Sequence, residues 1–298
     1  MRVSLILAAT PLGNPGDASA RLIAALASAD VIAAEDSRRF HRLAADLGVT
    51  FTARVLSFFE GNEDARTQEV LELLKNGSKV VVVSDAGMPT ISDPGFRLMR
   101  DAIAANIEVS VLPGPSAVTM AIALAGLPTD RFTFDGFAPR ASGARQKFYE
   151  SLRFEERTIV LFEAPHRLAE SLADAVIAIG GERQGAICRE MTKRYEETIR
   201  GTLSELHNWS VNNEVLGEIT LVIAGAPVGD AAATSADMVA RVREFEGAGM
   251  DRKGAIATVA EEFKIPKKIV YAAVVDANKM SQCARLISLS ILRRRFIM

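Results

Sequence analysis

The chain has 298 residues, of which 49% are hydrophobic and 24% charged, with a formal net charge of −2. A chain of this size suits two domains with a small appendage and can bury its own core, which excludes disordered, collagen-like and low-complexity classes. The near-neutral balance excludes a global field for nucleic acid, so any RNA contact must come from local basic patches.

In chain order, Val3–Ala9 reads as a buried strand. Its apolar run breaks at Pro11 and Gly13 and lacks a cleavage-site pattern, so no signal peptide is expected. The turn PLGNPGD follows, and Asp17 is expected to cap a helix carrying Leu22, Ile23 and Leu26. Val31–Ala34 is strand-like, Arg38–Leu47 helical and ended by Gly48, Val55–Phe59 a strand, and Glu63–Asn76 a helix facing inward through Val70, Leu71 and Leu74. KVVVV (Lys79–Val83) is continuously apolar, the pattern of a strand buried on both faces in a parallel or mixed α/β sheet. Helix Arg97–Ala105, strand Ile107–Leu112 and helix Ala117–Ala125 complete a first domain, 1–115. A second α/β domain, 116–226, is expected from strands Arg131–Gly136, Thr158–Phe162, Gly185–Arg189 and Glu218–Ala224. Helices near Ala144–Leu152, Arg167–Ile179 and Leu203–Trp209 separate them. After the linker from Gly225 to Thr234, a helix-turn-helix-like region, 234–279, contains Ser235–Glu246, Arg252–Phe263 (burying Ile256, Val259 and Phe263) and Pro266–Asn278. The apolar, arginine-rich segment 280–298 reads as a poorly ordered tail.

Cys188 and Cys283 are far apart and frame no disulfide or CxxC site, and three scattered histidines argue against a metal centre. No uncharged apolar run reaches the roughly 18 residues of a membrane helix. A cytoplasmic protein without membrane contact is expected. The sequence has no G-x-G-x-x-G after a strand, no Walker lysine, no G-x-S-x-G and no HExxH.

The chemistry concentrates in loops at the C-terminal ends of apolar strands, where open α/β sheets place ligands. SDAGMPTISDPG (Ser84–Gly95) spends twelve residues, including two Gly, two Pro and two Asp, where a connection needs only a few. Ala86–Ile91 is read as shaping a ligand, and Asp93 as capping a helix that starts at Pro94. TPLGNPGD (Thr10–Asp17), LPGPSA (Leu112–Ala117) and AAEDSRR (Ala33–Arg39) are the other such loops. In the last, Asp36 either takes part in chemistry or caps the following helix and pairs with Arg39.

Taken together, SDAGMPTISDPG, TPLGN, AEDSRR, PGPSA, EAPHR (Glu163–Arg167) and CREMTKRYEE (Cys188–Glu197) resemble the ribosomal small-subunit RNA methyltransferase I family of the tetrapyrrole-methylase-like superfamily. The resemblance runs from about Val3 to Ala224 and extends to the helical appendage. It implies two α/β domains with S-adenosylmethionine in the cleft between them, in a homodimer. The implied reaction is methyl transfer to the ribose 2′-hydroxyl of a cytidine in the decoding region of 16S rRNA, within the 30S subunit. Carried over by position, the cofactor residues are Leu12, Gly87, Met88, Pro89, Ile91, Ser116 and Ala117, with Phe162, Met191 and Ile219 from the second domain. Met88 stands where a Thr is frequent in that family, and the tail after about Asn278 has no counterpart there.

Displacement at a sulfonium needs no metal; it needs alignment, a proton acceptor and stabilisation of the developing oxyanion. Candidate bases are Glu35, Asp36 and Asp85, with Glu163 a further one, and candidate cations are Arg38 and Arg167; the AEDSRR cluster is the first choice among them, and Asp36→Asn is expected to lower turnover. Arg39, Arg140, Arg145 and Lys147 are candidate RNA contacts, the last three in a stretch, APRASGARQKF, read as a phosphate-contacting loop. Phe148 and Tyr149 fit core packing better than base stacking. Two other readings compete: methylation of a tetrapyrrole or other small molecule, and a non-catalytic RNA or ribosome-assembly binder.

Overall fold

The computed structural model describes residues 4–227, 235–263 and 265–277. It divides into two units, 1–225 and 226–298.

The first unit contains two five-stranded sheets. The first sheet is built from β1 (Ser4–Ala8), β2 (Val31–Ala34), β3 (Arg54–Ser57), β4 (Val80–Val83) and β5 (Glu108–Leu112). Its order is β3-β2-β4-β1-β5 and every pairing is parallel. The unbroken apolar run of β4 has the physical basis expected of it. Val80 and Val82 face α3 (Glu63–Lys75) and α4 (Phe96–Ala104), while Val81 and Val83 face α1 (Ala20–Ala27) and α2 (Ser37–Asp46). All four valines are buried, and each such side chain contributes roughly 1.5–3 kcal/mol relative to exposure.

The second sheet is mixed, in the order β6-β7-β10-β8-β9. It comprises β6 (Phe132–Phe137), β7 (Thr158–Glu163), β8 (Gln184–Arg189), β9 (Glu197–Thr202) and β10 (Ile219–Ile223). One face packs Ile159, Leu161, Ile187 and Leu221 beneath α6 (Ser142–Ser151), α7 (Leu168–Ile179) and α8 (Leu203–Asn212). The other face is covered by α5 (Ala117–Ala125), whose Val118, Ala121 and Ile122 meet Val160, Ala186 and Val222.

Several local expectations are corrected. The α1 cap is Ser19, whose hydroxyl accepts from Leu22 N at 3.0 Å, and Asp17 lies in the preceding 3-10 turn. Strand β9 escaped the reading because ETIRGT is polar and pairs only along one edge, with β8. Asp93 does not cap α4. Glu63 does so from another helix, with Oε1 accepting from Gly95 N at 3.0 Å and from Arg97 N at 3.2 Å. The stretch read as a phosphate-contacting loop is largely helix α6.

In the second unit, α9 (Ser235–Gly247), α10 (Arg252–Glu262) and a helical run over 267–277 bury Val242, Ile256, Val259, Val270 and Val274. Phe263, expected to be buried, is half-buried, while Ile265 is buried. Asp251 caps α10 through Gly254 N. The tail from 280 and most of the linker lie outside the described residues. Among the described residues no helix is long and apolar enough to cross a membrane.

Candidate functional site

The loops at the strand ends of the first sheet meet one end of the second sheet around a cleft of about 370 Å³, within the range of small-molecule sites. Two loops form its floor. Thr10 and Gly87 exchange main-chain hydrogen bonds at 2.9 and 3.1 Å, and the buried Thr10 hydroxyl donates to Ser84 O at 3.2 Å. Gly87 is required there: its φ is +79°, and a Cβ would come within 3.2 Å of Leu12 Cδ2. The rest of the long loop holds two non-glycine residues in the left-handed region, Thr90 (φ 77°) and Ser92 (φ 62°). Such strain persists only where surroundings over-determine it, and it gathers at ligand sites. Here the Glu63 cap and a Thr90 N to Pro94 O bond hold the far end. The opposite wall is tied to the first sheet's loops by Asn14 N, which donates to Thr192 Oγ1 at 3.2 Å.

The cleft brings together nine of the ten residues expected to hold a cofactor: Leu12, Gly87, Met88, Ile91, Ser116, Ala117, Phe162, Met191 and Ile219. Pro89 is buried and does not contribute to the lining.

The candidate acid–base groups separate. Glu35 and Asp85 line the cleft. Glu35 Oε2 accepts from Asp85 N at 3.1 Å, and Asp85 Oδ1 accepts from Asp36 N at 3.0 Å, so two carboxylates cross-brace the ends of β2 and β4. Burial pushes both carboxyls above their usual range. Arg39 Nη1 pairs with Asp85 Oδ2 at 3.2 Å and also lines the cleft. Asp36 and Arg38 are not part of this lining. Asp36 caps α2 through Arg38 N at 2.8 Å and pairs with the Arg38 guanidinium at 3.0 Å, rather than with Arg39. Those Arg38 bonds hold its carboxyl down at about 2, and the Arg38 side chain is 90% exposed. Glu163 also lines the cleft, but its buried carboxylate accepts from Ala164 N and lies 3.4 Å from Arg167 Nε.

Sequence reasoning missed several lining residues, of which three bear most on the chemistry. Asp93 lines the cleft, half-buried, and burial followed by the charge of Glu35 pushes its carboxyl up to about 7. Its place within the long motif was the signal, obscured by the capping role assigned to it. Glu218, paired with Lys193 at 3.1 Å, and Phe137 also line the cleft.

Of the RNA candidates, Arg39 faces the cleft, and Arg140 and Lys147 are exposed. Arg145 is corrected: it is 2% exposed and bound to Asp174 Oδ2 at 2.7 Å, an internal ion pair that offers no guanidinium to a phosphate. Tyr149 is fully buried with its hydroxyl 2.7 Å from Ser171 Oγ, and Phe148 packs on the same core. Among the described residues no cluster of His, Cys, Asp and Glu suits a metal ion.

Residues 4–207 match the profile of the family described as Tetrapyrrole (Corrin/Porphyrin) Methylases. The chain is 49% identical over 276 residues to a Mycobacterium tuberculosis protein named ribosomal RNA small subunit methyltransferase I, covering 92% of this chain and 95% of the relative. A Thermotoga maritima protein of the same name is 44% identical over 221 residues, which make up 98% of that protein but 74% of this chain. Among solved structures, uroporphyrin-III C-methyl transferase from Thermus thermophilus, complexed with S-adenyl homocysteine, superposes with a TM-score of 0.51 at 15% identity, covering 75% of this chain and 97% of the other.

Proposed function

This chain belongs to the tetrapyrrole (corrin/porphyrin) methylase family, within its ribosomal RNA small subunit methyltransferase I branch, and on that premise we propose that it methylates the ribose 2′-hydroxyl of a cytidine in the decoding region of 16S rRNA. The observation that carries this reading is the cleft itself: nine residues expected to hold S-adenosylmethionine converge on one cavity beside a cluster of carboxylates and one arginine.

The lining fits that cofactor. Leu12, Met88, Ile91, Phe162, Met191 and Ile219 offer apolar contact, and the Gly87 main chain allows close approach. Glu35, Asp85, Asp93 and Glu218 complement a sulfonium's positive charge. When bound, the cofactor supplies an electrophilic methyl group.

The protein's residues do the rest. Asp93 accepts the proton that the ribose hydroxyl loses as its oxygen is alkylated, because a carboxyl raised to about 7 is matched to proton transfer near neutral pH. Asp36, held at about 2, is a poor acceptor and keeps the capping role its geometry gives it. Arg39 stabilises the developing oxyanion from the same cleft. Arg140 and Lys147 contact phosphate. The enzyme works in the cytoplasm as a homodimer, for which exposed Phe96, Ile103 and Val111 near the β5 edge provide apolar surface.

The test is transfer of labelled methyl from S-adenosylmethionine to unmethylated 30S subunits, to free 16S rRNA and to a tetrapyrrole acceptor in parallel. Label is expected in the RNA of the first or second. Label in the tetrapyrrole alone would move the reading to small-molecule methylation, and cofactor binding without transfer to any would favour a non-catalytic binder.

A further inference from the structure

The second sheet carries a main-chain irregularity at the cleft. Strand β6 pairs with β7 in register through Phe134 and Val160, then the register shifts so that Phe137 stands opposite Phe162. Three residues on β6 span what two span on β7, which makes a bulge with one extra residue. Gly136 occupies it at φ +64°, a conformation that residues with side chains rarely adopt, and a Cβ there would lie 3.7 Å from Ser92 Oγ of the long loop. The extra residue changes the parity of the strand. Side chains alternate faces, so without it Phe137 would point away from Phe134. With it, Phe134 and Phe137 share the face of Phe162, at ring-centroid distances of 4.8 and 5.6 Å. Phe137 lines the cleft and remains 53% exposed.

The segment after Phe137 is held with unusual thoroughness. Arg167 Nη2 donates to Ala138 O at 2.6 Å and to Pro139 O at 3.1 Å, and Arg145 Nη1 donates to Arg140 O at 3.2 Å. Three consecutive carbonyls are thus fixed by two guanidinium groups, the Arg145 one anchored on Asp174 and the Arg167 one beside Glu163. A rigid ledge results, with an exposed aromatic ring at its cleft end and the exposed Arg140 side chain at the other. An exposed ring and an exposed cation three residues apart on one braced segment can bind a single unstacked nucleotide: the ring stacks the base and the cation meets a phosphate.

We propose that Phe137 stacks the extruded base of the target nucleotide and that Arg140 contacts an adjacent phosphate, making residues 137–140 the element that presents the ribose to the cleft. The proposal rests on the RNA-methylating reading above and names the residue that would hold the base.

Methyl transfer to unmethylated 30S subunits is measured for the full-length wild type, Phe137→Ala, Phe137→Tyr and Arg140→Ala, with cofactor affinity measured by calorimetry and mass by light scattering. In Phe137→Ala, kcat/KM for the subunit is expected to fall about tenfold to a hundredfold, the loss of one base–aromatic stack, with cofactor affinity within about twofold. Phe137→Tyr keeps a ring and should recover most of the rate. Arg140→Ala should lower the slope of log affinity against log salt by about one. A wild-type rate in Phe137→Ala, a parallel loss of cofactor affinity, or a change of oligomeric mass would overturn the proposal, the last two by assigning the ring to the cofactor or to a subunit contact. Failure of the wild type to label RNA would instead refute the parent reading, and this one with it.

Discussion

Asp36 and Asp93 are both aspartates at the end of a strand of the first sheet or in the loop beyond it, and their surroundings drive them in opposite directions. Arg38 holds Asp36 at about 2 in the open, while burial and the neighbouring carboxylates hold Asp93 at about 7 within the cleft. The groups that act on Asp93 are Glu35 from the end of β2, Asp85 and Ser84 from the end of β4, and Glu218 from the approach to β10. If Asp93 is the proton acceptor, kcat should rise with pH through about 7, and Asp93→Asn should lower it by about 10²–10⁴ while Asp36→Asn stays close to wild type. The same shift has a consequence for stability. A carboxyl raised on folding contributes stability below its unfolded value of 3.8 and loses it as pH rises through about 7. The melting temperature of Asp93→Asn relative to wild type should therefore climb between pH 5 and pH 8. A gap independent of pH would contradict the burial of an ionised Asp93.

At the scale of elements, the cleft depends on how its loops are closed. Glu63, 7% exposed at the start of α3, accepts from two amides at the start of α4 and so fixes the end of the strained long loop. Glu63→Ala leaves those amides without their acceptor at a cost of about 2 kcal/mol or more, whereas Glu63→Gln keeps one acceptor oxygen and should cost less. Chemical denaturation checks both, and equal midpoints for Glu63→Ala and wild type would refute the capping role. This device was invisible in the sequence because donor and acceptor lie 32 residues apart, and the local pattern favoured Asp93 as the cap. Elements whose signal is local were legible: β4 from four consecutive valines, and α5 at Ala117–Ala125 from its apolar content after PGPS. Strand β9 and the β6 bulge were not. The first has Ile199 as its one large apolar side chain, and the second is defined by its register against β7.

For the molecule as a whole, most of the cleft lining was legible because long Gly/Pro loops at strand ends announce themselves, and the resemblance supplied the roles expected of them. The functions of the charged residues were not, since a carboxylate or an arginine reads the same in sequence whether it lines a cleft, caps a helix or pairs internally. Arg145 is the clearest case, a basic residue in a polar stretch that the fold turns inward onto Asp174. The first unit, residues 1–225, contains both sheets and every residue of the cleft lining, and the Thermotoga maritima relative is scarcely longer than the 221 residues it shares with this chain. A chain truncated after Gly225 is accordingly expected to fold and to bind S-adenosylmethionine with an affinity within a few-fold of the full-length protein. Loss of binding on truncation, seen by calorimetry, would show that the second unit takes part in the site.

The most direct measurement is the identity of the methylated nucleoside. RNA from unmethylated 30S subunits incubated with the protein and labelled S-adenosylmethionine is digested to nucleosides and resolved by mass spectrometry. The label is expected in 2′-O-methylcytidine, and its appearance on a base, or on the ribose of another nucleoside, would contradict the assignment.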